Sequence, residues 1–107
     1  MNRRYSSRLL LALACTGFLG LPAALAAEPP RTVLVVGDSL SAEYGLARGS
    51  GWVALLDKRL SERKVEARVV NASISGDTSS GGRSRLPALL RQHKPTHVIL
   101  ELGGNDA

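Results

Sequence analysis

The chain is nearly devoid of cysteine. Its single one, Cys15, lies within the first 27 of 107 residues. The rest of the chain can therefore build neither a disulfide framework nor a thiolate metal site. Cys15 follows Ala12-Leu13-Ala14, whereas a lipobox prefers leucine at the first of those positions, which disfavours lipidation. A long unbroken apolar run is also missing. Leu9 to Leu25 is mostly apolar but is interrupted by Thr16, glycines and Pro22, too short and too broken for a membrane-spanning helix. Arg3, Arg4 and Arg8 precede this run, and Ala24-Leu25-Ala26 ends it. Residues 1–26 thus read as a secretory signal peptide, cleaved after Ala26 or Ala27. A periplasmic or secreted protein with no stable membrane anchor is expected.

A large charge excess is lacking too. Fourteen Lys and Arg against nine Asp and Glu give +5, but three of the arginines belong to the signal, leaving eleven against nine, or +2. The basic balance is partly a targeting feature, and nucleic acid is not an expected partner. Arg83, Arg85, Arg91 and Lys94 cluster at helical spacing, as a solvated helix face would. No Gly-x-Gly-x-x-Gly or Gly-x4-Gly-Lys-Ser/Thr phosphate loop occurs, and no internal repeat. About 80 residues remain after the signal, marginal for a self-sufficient core.

What is present is an alternation of strand and helix patterns. Glu28-Pro29-Pro30 is a stiff lead-in. Thr32 to Val36 (TVLVV) is a continuous β-branched run, suited to a parallel strand covered on both faces. Ser50 is a candidate cap for a helix from about Gly51 to Arg63, with Trp52, Leu55, Leu56 and Leu60 on one face. Val65 to Val70 reads as a second strand. Asn71 to Gly82 is small and polar, hence a loop. Leu86, Leu89 and Leu90 suggest a second helix ending near His93, with Pro87 in its first turn or at a kink. Thr96 to Leu102 is a third strand. The order β-α-β-α-β predicts right-handed crossovers and a parallel three-layer α/β/α arrangement.

Unusual residues follow each strand: Gly37-Asp38-Ser39, then Ser75-Gly76-Asp77, then Gly103-Gly104-Asn105-Asp106. Sites in open parallel sheets form at the carboxyl ends of strands. Ser39 is a candidate nucleophile whose own N–H could face a developing anion. Gly76 could offer a second N–H with close backbone approach, and Asn105 a side-chain amide. Each has a plain alternative, since Gly, Asp, Ser and Asn are also common turn formers. Gly37-Asp38-Ser39-Leu40 is not the Gly-x-Ser-x-Gly elbow, because Ser41 stands where the second glycine would be.

Taken together, Gly37-Asp38-Ser39-Leu40, Gly76 within NASISGDT and Gly103-Gly104-Asn105-Asp106 resemble the first three blocks of the SGNH (GDSL) hydrolase family. The likeness to its bacterial periplasmic thioesterase and lysophospholipase members runs from Thr32 to Ala107 and includes WVALL at 52–56 and RLPALL at 85–90. The resemblance implies a flavodoxin-like three-layer fold, of which only the first three strands are present. It implies Ser39 as nucleophile, with the Ser39 and Gly76 N–H groups and the Asn105 amide as oxyanion hole. Asp38 and Asp106 would serve loop hydrogen bonding rather than proton transfer. No metal or organic cofactor is implied. Small acyl esters, acyl thioesters or lysophospholipids would be the substrates, and a monomer is expected.

The family's Asp-x-x-His block, which carries the base, does not occur in this sequence. His97 opens the third strand and His93 precedes it, both at the edge opposite the candidate site, so neither can serve. The expectation is an N-terminal part of a longer enzyme, residues 27–107, inactive alone for want of the Asp and His. The competing readings are an SGNH carbohydrate O-acetyl esterase, a non-catalytic phosphate- or nucleotide-binding α/β module, and a degenerate product with no function.

Overall fold

The computed structural model describes residues 30–107. The signal-peptide reading of residues 1–26 and the start of the proline lead-in lie outside the described residues. The elements are β1 (Arg31–Gly37), α1 (Trp52–Glu62), β2 (Ala67–Asn71), α2 (Ser79–His93) and β3 (His97–Glu101). The three strands form one parallel sheet in the order β2-β1-β3. The expected β-α-β-α-β order and parallel pairing are both present.

The ladder register shows which helix covers which face. Val33 pairs with Val69 and His97, Val35 with Asn71 and Ile99, and Gly37 with Glu101. Residues paired across a ladder share a face, and successive residues alternate. These pairs therefore form one face, while Leu34, Val36, Val70, Val98 and Leu100 form the other. Val53, Ala54 and Asp57 of α1 border a space with Val69 and Asn71, which places α1 on the first face. Gly82 and Leu86 of α2 border one with Leu100 and Leu102, which places α2 on the second. The result is three layers.

Central β1 is covered on both sides. Leu34, Val35 and Val36 are fully buried, each contributing roughly 1.5–3 kcal/mol of transfer free energy. This is why β1 reads as an unbroken apolar run, without the alternation of a half-exposed strand. Val98 and Leu100 on edge strand β3 remain 41% and 59% exposed.

Several local expectations are corrected. Ser50 does not cap α1: its hydroxyl donates to the Ala47 carbonyl, and Gly51 is the cap residue, without a side-chain bond of its own. The Glu43 carboxylate instead accepts from the Gly49 and Gly51 N–H groups, each at 2.9 Å. Leu55 points outward, 55% exposed, and Val53 takes the buried position. The second strand starts later than expected and includes Asn71. The third is shorter, ending at Glu101.

The largest revision concerns Asn71 to Gly82, expected to be all loop. Its last four residues, Ser79 to Gly82, are helical. Thr78 is the N-cap, its hydroxyl accepting from the Gly81 N–H at 3.0 Å, and capping overrides the weak helix propensity of Ser-Ser-Gly-Gly. Gly82 also packs closely against β3's continuation. A Cβ there would run into the Leu102 side chain. With the helix starting at Ser79, Pro87 falls in its middle rather than its first turn, leaving the Arg83 carbonyl without its helical donor. The helix ends at Lys94 in the left-handed conformation, immediately before Pro95.

Candidate active site

Gly37 ends β1 on the α1 face, beside Glu101 of β3. A Cβ on Gly37 would lie 2.6 Å from Ser41 Oγ and 2.7 Å from Glu101 Oε1. Glycine is required here by space, because two polar side chains fill the volume a methyl would take. Asp38 follows and is 3% exposed. Its Oδ1 accepts the Leu40 N–H at 3.0 Å, and its carbonyl accepts the Ser41 and Ala42 N–H groups. The chain turns sharply between buried Asp38 and Ser41, and Ser39 within that turn is half-buried.

A polar network lies beneath the turn. Glu101 Oε1 accepts the Asp38 N–H at 3.1 Å and the Ser41 hydroxyl at 2.8 Å. The Trp52 indole N–H donates to Ser41 Oγ at 3.0 Å. The Asn71 amide donates to the Ser41 carbonyl at 2.8 Å. Ser41 is 2% exposed, and both hydroxyl functions are used, as a buried polar group requires. Trp52 stands on the leucine face that the sequence predicts for α1; its ring is partly buried, and its N–H has this specific partner.

Gly76 follows β2, with φ +85° and open space where a side chain would stand. Next to it, Asp77 forms a 2.9 Å ion pair with Arg85 and accepts the Thr78 N–H. Arg85 therefore differs from the solvated-face expectation, whereas Arg83, Arg91 and Lys94 are exposed. Its partner lies back in the loop, outside the helical repeat, so helical spacing could not reveal it.

Asn105 follows β3. Its Nδ2 donates to the Asp77 carbonyl at 2.9 Å and to Asp38 Oδ2 at 3.4 Å. Asp38 precedes Ser39 and Asp77 follows Gly76, so one amide ties together the neighbours of the other two candidates. Consecutive Cα atoms are about 3.8 Å apart, so the loops after β1, β2 and β3 share one small region at the carboxyl edge of the sheet. Neither the Ser39 nor the Gly76 N–H has a hydrogen-bond partner among the described residues. Asp106 joins α2 to this edge, accepting the Ser79 N–H at 2.8 Å. That bond, with the Ser79 hydroxyl nearby, holds the Asp106 carboxyl below its ordinary pKa.

The histidines lie elsewhere. His97 pairs with Val33, four residues before Gly37, or about 13 Å down the strand at ~3.3 Å per residue. His93 ends α2 near the same lower edge. Among the described residues, no group of three or more His, Cys, Asp and Glu is placed to hold a metal ion.

Sequence reasoning singled out Ser39, Gly76 and Asn105 but passed over Glu101, Ser41 and Asn71. A signal for Glu101 was available: it is the one charged residue in the otherwise apolar end of THVILEL. Strand alternation then puts it on the same face as Ile99 and beside Gly37.

Comparison with known proteins adds a family. The model of the GDSL-like Lipase/Acylhydrolase family matches residues 35–107. Esterase TesA of Pseudomonas aeruginosa is 57% identical over 99 residues, covering 92% of this chain and 48% of that protein. Thioesterase 1/protease 1/lysophospholipase L1 of Escherichia coli is 55% identical over 75 residues, covering 70% of this chain and 35% of its own. A crystal structure of TesA superposes with a TM-score of 0.70 at 64% identity, over 71% of this chain and 42% of that one. The chain thus spans half or less of the length of these curated relatives.

Proposed function

As this chain belongs to the GDSL-like lipase/acylhydrolase family, we propose that it carries the nucleophile and oxyanion hole of a serine hydrolase acting on carboxylic esters, acyl thioesters or lysophospholipids. The observation that carries this reading is the Asn105 junction. It gathers three strand-end loops so that Ser39, Gly76 and Asn105 meet at one edge.

In this reading Ser39 Oγ attacks the acyl carbonyl carbon and the carbonyl electron pair moves onto oxygen. The N–H groups of Ser39 and Gly76, with no other partners among the described residues, receive that oxyanion. The Asn105 N–H now 3.4 Å from Asp38 is the weaker of its two bonds and the one free to turn to substrate. Collapse expels the alcohol or thiol and leaves an acyl group on Ser39, which water then removes. Asp38, with both carboxylate oxygens engaged, supports the turn and takes no proton. The acceptor of the serine proton must come within roughly 3 Å of Oγ or act through one water. His93 and His97 lie toward the opposite edge of the sheet and fail that condition. The names of the relatives, esterase and thioesterase/lysophospholipase, support the ester and thioester classes.

We also propose that residues 1–26 direct export, on the strength of Arg3, Arg4, Arg8 and the Ala24-Leu25-Ala26 site. Among the described residues no helix is long and apolar enough to cross a membrane. N-terminal sequencing of the protein from a periplasmic extract should begin at Ala27 or Glu28; an intact Met1 terminus there would refute export by cleavage.

The functional test joins residues 30–107 to the remainder of the Pseudomonas aeruginosa esterase, which this chain matches over about half its length. The chimaera should hydrolyse a 4-nitrophenyl acyl ester, and Ser39→Ala should abolish it. A folded chimaera that is inactive, or whose activity survives Ser39→Ala, would sink the reading.

A further inference from the structure

Glu101 has an arrangement that its place in a strand does not require. It ends β3 on the α1 face, half-buried, and no cation among the described residues pairs with it. A carboxylate withdrawn from water without a counter-ion is costly unless donors satisfy it. Two donors do, and both go to the same oxygen: the Asp38 N–H at 3.1 Å and the Ser41 hydroxyl at 2.8 Å.

These donors lie on either side of Ser39. One oxygen therefore holds the segment at residue 38 and again at residue 41. Trp52 and Asn71 hold Ser41 from two further directions. Ser39 and Leu40 lie between the held points; Ser39 is half-buried and Leu40 is 72% exposed. The missing Cβ of Gly37 is what lets Oε1 and Ser41 Oγ come so close to β1. Oε1 contacts the turn from the sheet side and makes no bond to Ser39, so it is not a base for that hydroxyl.

We propose that Glu101 is a positioning residue for Ser39: by accepting at Oε1 from both Asp38 and Ser41, it fixes the turn that aims the Ser39 hydroxyl and N–H at substrate. The inference rests on Ser39 being the nucleophile. What it requires of Glu101 is reach and acceptor geometry, not charge. Glu101→Gln keeps a carbonyl oxygen at the same reach. Glu101→Asp keeps the charge but withdraws the oxygen by one methylene, breaking a shared contact already at hydrogen-bonding distance. A displacement of about 1 Å at a reacting group can cost on the order of 100-fold in rate.

The test uses the full 107-residue chain and a fluorophosphonate, with imidazole buffer as proton acceptor. Ser39 Oγ bonds to phosphorus, fluoride leaves and imidazole takes the proton. Intact-mass kinetics give the maximal labelling rate and the half-saturating probe concentration; amide hydrogen exchange reports the Asp38 N–H. Glu101→Gln should label within about 3-fold of the parent and keep Asp38 protected. Glu101→Asp should fall by about 10- to 100-fold in maximal rate, with half-saturation little changed and Asp38 protection lost. Equal rates for the two variants, or a faster Asp variant, would overturn the proposal. If the parent chain is not labelled at Ser39, the nucleophile reading fails instead. Asp38 exchange then decides the Glu101 contact alone: protection retained in both variants overturns it, and loss only in Glu101→Asp supports it.

Discussion

Gly37→Ala perturbs the turn at the point where its geometry is tightest. The added methyl would stand 2.6 Å from Ser41 Oγ, 2.7 Å from Glu101 Oε1 and 2.9 Å from Ser41 Cβ. Ordinary contacts of this kind begin near 3.5 Å, so the neighbours must retreat by about 0.5–1 Å. Ser41 has little room to move: it is buried and bonded to Glu101, Trp52 and Asn71. Overpacking of this sort costs about 1–3 kcal/mol. Against that, alanine restricts the unfolded chain and returns about 0.4–1 kcal/mol, since Gly37 is not in the left-handed region. The net expectation is a loss of about 1–2 kcal/mol, or about 5–15 °C in Tm for a domain this small. Differential scanning calorimetry of parent and variant measures it. A double variant with Ser41→Ala isolates the cause. Removing Oγ frees part of the space, so the two losses should fall short of additivity by at least about 0.5 kcal/mol. A Tm change below about 2 °C, or strict additivity, would refute the steric account of this glycine.

Other outcomes follow from the same contacts. Gly76→Ala places a side chain at φ +85° and should cost about 1–2 kcal/mol in urea unfolding; little steric cost adds to it, because the surrounding space is open. Asp77→Ala removes the Arg85 pair and the Thr78 acceptor and should lower stability by about 1–3 kcal/mol, with faster amide exchange around Gly76. The Asp106 carboxyl is held below its ordinary pKa chiefly by the Ser79 N–H. Its contribution is therefore full above the unfolded-state pKa and lost as pH falls through the lower folded value. Ser79 amide protection should weaken across that acidic range, and in Asp106→Asn that pH dependence should vanish. Ser39→Ala should leave Tm within about 2 °C, since the Ser39 hydroxyl has no partner among the described residues.

Much of the architecture was legible in the order of residues. The unbroken TVLVV run announced a strand covered on both faces, and β1 is central and buried. The alternation of strand and helix patterns announced a parallel sheet, because parallel neighbours need crossovers. The placing of unusual residues after each strand pointed to one edge, where Ser39, Gly76 and Asn105 now stand. Local pattern failed where local propensity opposed the fold. Ser79-Ser80-Gly81-Gly82 looks like loop, yet it is the first turn of α2, held by the Thr78 cap and by the fit of Gly82 against Leu102.

Residue type and chain periodicity are properties of the sequence, and they sufficed for the elements, their order and the candidate residues at the strand ends. Contacts between residues sixty positions apart are not. That Glu101 reaches under Asp38 and Ser41, that Asn105 joins Asp38 to Asp77, and that Gly37 is small because two polar side chains crowd it were decided only when β3 paired beside β1. Strand register sets those distances to within one hydrogen bond, and pairing partners are not written in either strand alone.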